Sequence, residues 1–183
     1  MNKKYQKIWK LALPYIRAGR EKDFTHVKGV VKAMEIIIKS GLGDESLLIP
    51  AAILHDTGWC RVSKKLQKSQ DKKDRIKALR LHLKYSAIIA AKILRELGYE
   101  PREIKKIAEI IKAHKFADPK EINKRILIDA DCLSDCFKEQ FECDMKSYKL
   151  SKEKLYNFRK DNKFYTKVAE EIFNREIEKR LHN

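Results

Sequence analysis

The stretch Ile53-Leu54-His55-Asp56-Thr57-Gly58-Trp59 (ILHDTGW) decides how the chain is read. It continues the apolar run Pro50-Ala51-Ala52, so it has the composition of a core helix. Yet the run ends on an adjacent imidazole and carboxylate, groups that cost several kcal/mol to bury without a partner. A metal ion would partner both.

Working outward, 183 residues with 43% apolar content suffice for one well-cored domain. Glycine (6) and proline (4) are scarce, and straight-chain residues that lose little rotamer freedom in helices dominate. No Gly-, Ser- or Pro-rich linker and no internal repeat divides the chain. The expectation is an all-α, single-domain helical bundle spanning residues 1–183. Its formal charge of +16, from 42 basic and 26 acidic residues, either coats solvated helix faces or steers a phosphorylated ligand. The basic residues are spread along the chain without an Arg-rich tail, zinc finger or RNA-binding signature, which disfavours nucleic acid as the main partner. No window approaches the roughly 20 apolar residues of a membrane span, and the N-terminus lacks a signal-peptide core. A cytoplasmic protein with four reduced cysteines is therefore expected. Cys132, Cys136 and Cys143 lack C-x-x-C spacing and read as small buried residues rather than metal ligands.

Apolar periodicity predicts helices over 3–18, with Pro14 bending or resetting it, and through Val27, Val30, Val31, Met34, Ile37 and Ile38, with Asp23 or Thr25 as cap. The second should end at Ser40-Gly41, where glycine takes a left-handed conformation. A short, strongly apolar helix follows over 46–56. Residues 60–76 read as a polar loop, with Gly58 breaking the third helix and opening space beside the site. Further helices are expected over 77–97, over 101–114 with proline at its first position, over 121–140, and over 151–181 as a docked C-terminal segment.

His26, His55, His82 and His114 each fall beside apolar positions of a different predicted helix. Inward-facing side chains from separate helices of a bundle can converge on one metal site. A carboxylate comes from Ile126-Leu127-Ile128-Asp129-Ala130-Asp131-Cys132-Leu133. Asp129 and Asp131 point about 200° apart on a helix, so only one can face the site. The other should cap, pair or meet solvent.

The ordered motifs Phe24-Thr25-His26-Val27, Leu54-His55-Asp56-Thr57-Gly58 and Asp129-Ala130-Asp131-Cys132-Leu133 resemble those of the HD superfamily of metal-dependent phosphohydrolases. The resemblance covers about residues 20–135, with a weaker echo at Phe164-Tyr165-Thr166-Lys167-Val168-Ala169. It implies that His26, His55, Asp56 and Asp131 hold a metal, and selects Asp131 over Asp129. His82 in HLKYSA and His114 in IIKAHK match the two further histidines of the two-metal branch, with Asp56 bridging. Imidazole and carboxylate suit Fe, Mn, Co, Ni or Zn. The implied reaction is cleavage of a phosphoester or phosphoanhydride, of a nucleotide or related small substrate, by metal-activated hydroxide, with His55 and Asp56 at its catalytic centre.

Many members of that family carry Lys or Glu three positions after the HD aspartate, where this chain has Trp59. Arg61, Lys64, Lys65, Arg80 and Lys115 are the candidate substrate-binding cations. Ser86, one turn after His82, is placed to bond a ligand or its own helix backbone. The same six ligands also occur in HD-fold di-iron oxygenases, and Trp59 leaves a non-catalytic nucleotide-binding module as a further alternative.

Overall fold

A computed structural model describes residues 3–182, of which the side chains of residues 3–181 are placed; the side chain of His182 lies outside the described residues. Among them there is no strand. Ten α-helices follow in order: α1 (Lys3–Ala18), α2 (Asp23–Lys39), α3 (Glu45–Leu54), α4 (Lys64–Lys68), α5 (Lys72–Glu96), α6 (Pro101–Ala113), α7 (Ile122–Ser134), α8 (Lys138–Tyr148), α9 (Lys152–Arg159) and α10 (Lys167–His182). A 3-10 turn, Thr57–Arg61, joins α3 to α4. Among the described residues no helix is long and apolar enough to cross a membrane.

α3 organises the bundle. Every residue from Leu47 to Leu54 is buried, and a helix apolar on all sides must be surrounded. α1, α2, α5, α6 and α7 pack around it. Its start is set by Asp44, whose side chain accepts from the Ser46 N–H at 2.9 Å. Its end falls at Leu54, short of the expected 56, because side chains take over its last carbonyls. His55 Nδ1–H donates to Ala52 O at 2.8 Å, and Thr57 Oγ1–H donates to Leu54 O at 2.8 Å. Those carbonyls would otherwise be buried orphans.

Other boundaries differ from the sequence expectation for local reasons. α1 runs through Pro14 without being reset. Neither Asp23 nor Thr25 caps α2: Lys22 is the cap residue and makes no side-chain cap bond, while Asp23 accepts from Arg20 N and Nε at 2.6 and 2.7 Å. Gly41 does take a positive φ, +86°. Residues 60–76 are not one loop, since they hold α4 and the first turn of α5. Asp71 accepts from the N–H groups of Lys73 and Asp74 and starts α5 five residues early. The helix expected over 121–140 breaks after Ser134, and α8 begins at Lys138. The one expected over 151–181 is two helices, α9 and α10.

Asp129 explains the placement of α10. Its carboxylate accepts from Tyr165 N and Thr166 N, both at 2.8 Å, and from Thr166 Oγ1 at 2.6 Å. One buried side chain of α7 thus satisfies the backbone at the start of a helix far along the chain. This is the capping role left to whichever aspartate does not face the site.

Candidate metal centre

Asp56 sits on the turn after α3 and is 4% exposed. Two imidazole pairs face it. On one side, His26 Nε2 of α2 and His55 Nε2 lie 3.3 Å apart, at 3.6 and 3.8 Å from Asp56 oxygens. On the other, His82 Nε2 of α5 and His114 Nε2 lie 3.4 Å apart, at 3.3 and 3.7 Å from Asp56 Oδ1. Asp131 of α7 closes the first side, its Oδ1 3.0 Å from His26 Nε2 and 3.9 Å from His55 Nε2. All six residues nominated from the sequence as ligands are brought together. Five of them form two clusters able to hold an ion, His26–His55–Asp56 and Asp56–His82–His114, with Asp131 beside the first.

Backbone geometry orients the rings. His55 and His114 are the cap residues at the C-terminal ends of α3 and α6. Each donates Nδ1–H to the carbonyl three residues back, Ala52 O at 2.8 Å and Ile111 O at 2.6 Å. A carbonyl only accepts, so the proton is on Nδ1 and the lone pair on Nε2 faces the centre. Both helices also turn their negative dipole ends toward the site, which favours a cation.

The electrostatics of most of these groups have the same sense; His26 is the exception, since burial would lower its pKa but its bond to Asp131 and the Asp56 charge outweigh that and raise it. Burial lowers the His55 pKa to about 4, and burial likewise lowers that of His82. Burial opposes ionisation of Asp56, but His55 and Arg20 outweigh it and hold the carboxyl well below the usual range. Burial also opposes Asp131, where Lys115 and His26 prevail and keep it low. Near neutral pH two imidazoles are therefore neutral and both carboxylates ionised, the protonation state metal coordination needs. The cluster is rich in acceptors and poor in donors, and the His82 Nδ1 is buried without a partner among the described residues. Nitrogen and carboxylate donors of this kind fit Fe, Mn, Co, Ni or Zn.

A family model described as HD domain matches residues 23–135. The chain belongs to the HD domain family. That match spans all six converging residues, and the family includes many metal-dependent phosphohydrolases. Comparison with curated proteins and with solved structures found no match.

The HD site opens into a cavity of about 610 Å³, and its cations correct the sequence expectation. Lys115 lines it and donates to Asp131 Oδ2. Arg61, Lys64, Lys65 and Arg80 are not on its wall. Lys64 instead donates to Gly19 O at 2.6 Å, and Arg80 is exposed on a separate groove along α5. The cavity's other cations are Arg20, Lys22, Arg75 and Arg159. Arg20 is the residue that sequence reasoning missed. It donates to Asp56 Oδ2 at 2.8 Å and to Asp23, and its guanidinium carbon lies 4.0 Å from the Trp59 ring centre. Trp59 in turn stacks on His82 at 4.4 Å with 5° between planes. The tryptophan that stands where relatives carry a charge thus holds a charge brought from the α1–α2 turn. The one local signal was the Arg20-x-x-Asp23 spacing, which permits an i,i+3 ion pair.

Gly58 and Ser86 also act differently from the expectation. A Cβ at Gly58 would lie 2.2 Å from His82 O and 2.4 Å from Ser86 N. Glycine lets the turn press against α5 rather than opening space. Ser86 Oγ accepts from Gly58 N–H at 2.8 Å, a bond to the turn rather than to its own helix. Burial raises the Cys132 and Cys136 thiols to about 12, and Cys136 Sγ donates to Leu133 O.

Proposed function

We propose that the protein is a metal-dependent phosphohydrolase that cleaves a phosphoester or phosphoanhydride of a nucleotide, with His26, His55, Asp56, His82, His114 and Asp131 holding divalent ions. The observation that carries the reading is the sharing of Asp56 by two imidazole clusters. Bound divalent ions supply Lewis acidity and a water acidified enough to attack phosphorus near neutral pH.

The chain's own residues do the rest. Asp56 and Asp131 stay ionised, and His55 and His114 keep their Nε2 lone pairs inward because Nδ1–H is committed to the backbone. Arg20 spends its Nε–H on Asp23 and one terminal N–H on Asp56. Its three other N–H groups remain for phosphate oxygens, in the planar array that suits them. Trp59 keeps the guanidinium from swinging away. Lys115, on the opposite side beside Asp131, offers a second cation to the same phosphoryl group.

The test is metal analysis joined to phosphate release from mononucleotides, cyclic nucleotides, dinucleoside polyphosphates and an aryl phosphate, with Mn²⁺, Fe²⁺, Co²⁺ and Ni²⁺ each supplied. Phosphate release that vanishes in Asp56→Ala supports the reading. No release with any metal, or full activity in His55→Ala, overturns it. Oxygen uptake by the iron-loaded protein without phosphate release would instead assign oxygenase chemistry.

A further inference from the structure

One part of the cavity wall comes from α8 and α9, beyond the residues matched by the family model. It holds a buried acceptor that no described residue satisfies. Gln140 of α8 lines the cavity and is 2% exposed. Its Nε2 donates to Asp144 Oδ2 at 2.7 Å. Asp144 can only accept when ionised, so that bond fixes which end of the amide is which. Gln140 Oε1 is left buried without a donor among the described residues, an arrangement that destabilises the fold until a donor reaches it.

The surroundings of that oxygen are those of a binding wall. Asp144, 1% exposed, takes bonds from Gln140, Lys22 and Arg159, and these three side chains line the cavity. The network holds them in place. Beyond them stand Tyr148 and Phe158, 53% and 80% exposed. A phenylalanine that gives so little area to the core, yet borders a cavity, is available to a ligand's flat face.

We propose that the α8–α9 wall is a subsite for the leaving group of the phosphoester, and that it takes a planar organic group carrying a hydroxyl or amino donor. Gln140 Oε1 is buried, so its amide turns into the cavity to accept from that donor, and Phe158 and Tyr148 cover the planar face. The inference rests on the phosphohydrolase reading, and adds to it that inorganic polyphosphates and small alkyl phosphates are poor substrates.

The full chain, loaded with whichever metal supports turnover, is assayed with adenosine monophosphate, p-nitrophenyl phosphate and pyrophosphate. Gln140→Leu should raise KM for adenosine monophosphate about tenfold, the loss of one buried hydrogen bond. It should leave p-nitrophenyl phosphate, which has no donor, unchanged. Phe158→Ala should raise KM for both aromatic substrates and leave pyrophosphate unchanged. Metal content should stay that of the parent in each variant. Unchanged selectivity in both variants overturns the subsite. Phe158 is exposed, so its variant decides alone if Gln140→Leu fails to fold. If the parent protein hydrolyses nothing, the phosphohydrolase reading falls, and calorimetric binding of adenosine monophosphate still decides the subsite. Equal affinity in parent and Phe158→Ala would overturn it, and weaker affinity in the variant would uphold it.

Discussion

The cluster around Asp56 and the network around Asp144 are both buried and charged, and they have opposite hydrogen-bond balances. At Asp144 one carboxylate meets Lys22, Gln140 and Arg159, all donors. Burial opposes its ionisation, but Lys22, Gln140 and Arg159 prevail and lower its pKa. The carboxylate is complete without a ligand, and what it leaves over is the spare acceptor of Gln140. At Asp56 two carboxylates and two inward lone pairs converge, with only Arg20, Lys115 and at most two imidazole protons to serve them. A cluster of acceptors asks for a cation, while a balanced network asks only to be kept intact. The same residue types thus serve binding in one place and architecture in the other.

The comparison breaks most sharply under substitution of the shared ligand. Asp56→Ala should abolish metal binding at both clusters and all phosphate release, read by elemental analysis and activity. Asp144→Ala should retain the metal. It should instead destabilise the fold by about 3–5 kcal/mol, the cost of leaving buried cations unpaired, measured by urea unfolding. Next, Gly58→Ala places a methyl against the backbone of α5 and should cost about 1–3 kcal/mol of overpacking strain. It should weaken metal binding as well, since the turn it displaces carries Asp56.

Arg20→Gln should lower metal affinity or activity by about 10–100-fold, as loss of a side chain that orients a ligand does. The metal-free protein should lose less stability than Asp144→Ala. Metal itself should separate the two clusters: at a concentration of about 100 Kd it adds about 2.7 kcal/mol, a gain that chelator removes from the parent and that Asp56→Ala never shows.

Acid offers the gentlest test. The Asp144 pKa is depressed in the fold, so its contribution is fully present above the ordinary carboxylate pKa, about 3.9. It is lost as pH falls through the lower, folded value. Thermal melts of the metal-free protein between pH 5 and pH 2.5 should fall less steeply in Asp144→Asn than in the parent (pH values chosen to bracket that range).

Much of this was legible in the chain. The all-α class and the placing of His26, His82 and His114 on or at the ends of separate helices follow from apolar periodicity, while the six-ligand set and the choice of Asp131 over Asp129 come from the resemblance to the HD superfamily. The helix breaks at 135–137 and 160–166 were hidden. Cys136 and Phe137 are buried in the turn before α8, so apolar content continues where the helix does not. The second break is fixed from a distance by Asp129, 36 and 37 residues from the groups it holds.

What the sequence by itself pointed to was a place for a metal: adjacent His55 and Asp56 at the end of an apolar helix call for a partner, three more histidines fall beside apolar positions of other helices, and the resemblance to the HD superfamily adds Asp131. What only the tertiary structure decided was the choice of cations and the wall facing them. In the sequence Lys22 and Arg159 read like any of the 42 basic side chains, Arg20 stands apart only by its spacing to Asp23, and nothing local distinguishes Lys22 or Arg159 from Arg61 or Lys64. The roles of Arg20, Lys22 and Arg159 come from burial beside Asp56 and Asp144, a product of how α2, α8 and α9 close on the bundle. Periodicity reports which face a residue is on; only packing reports what lies across from it.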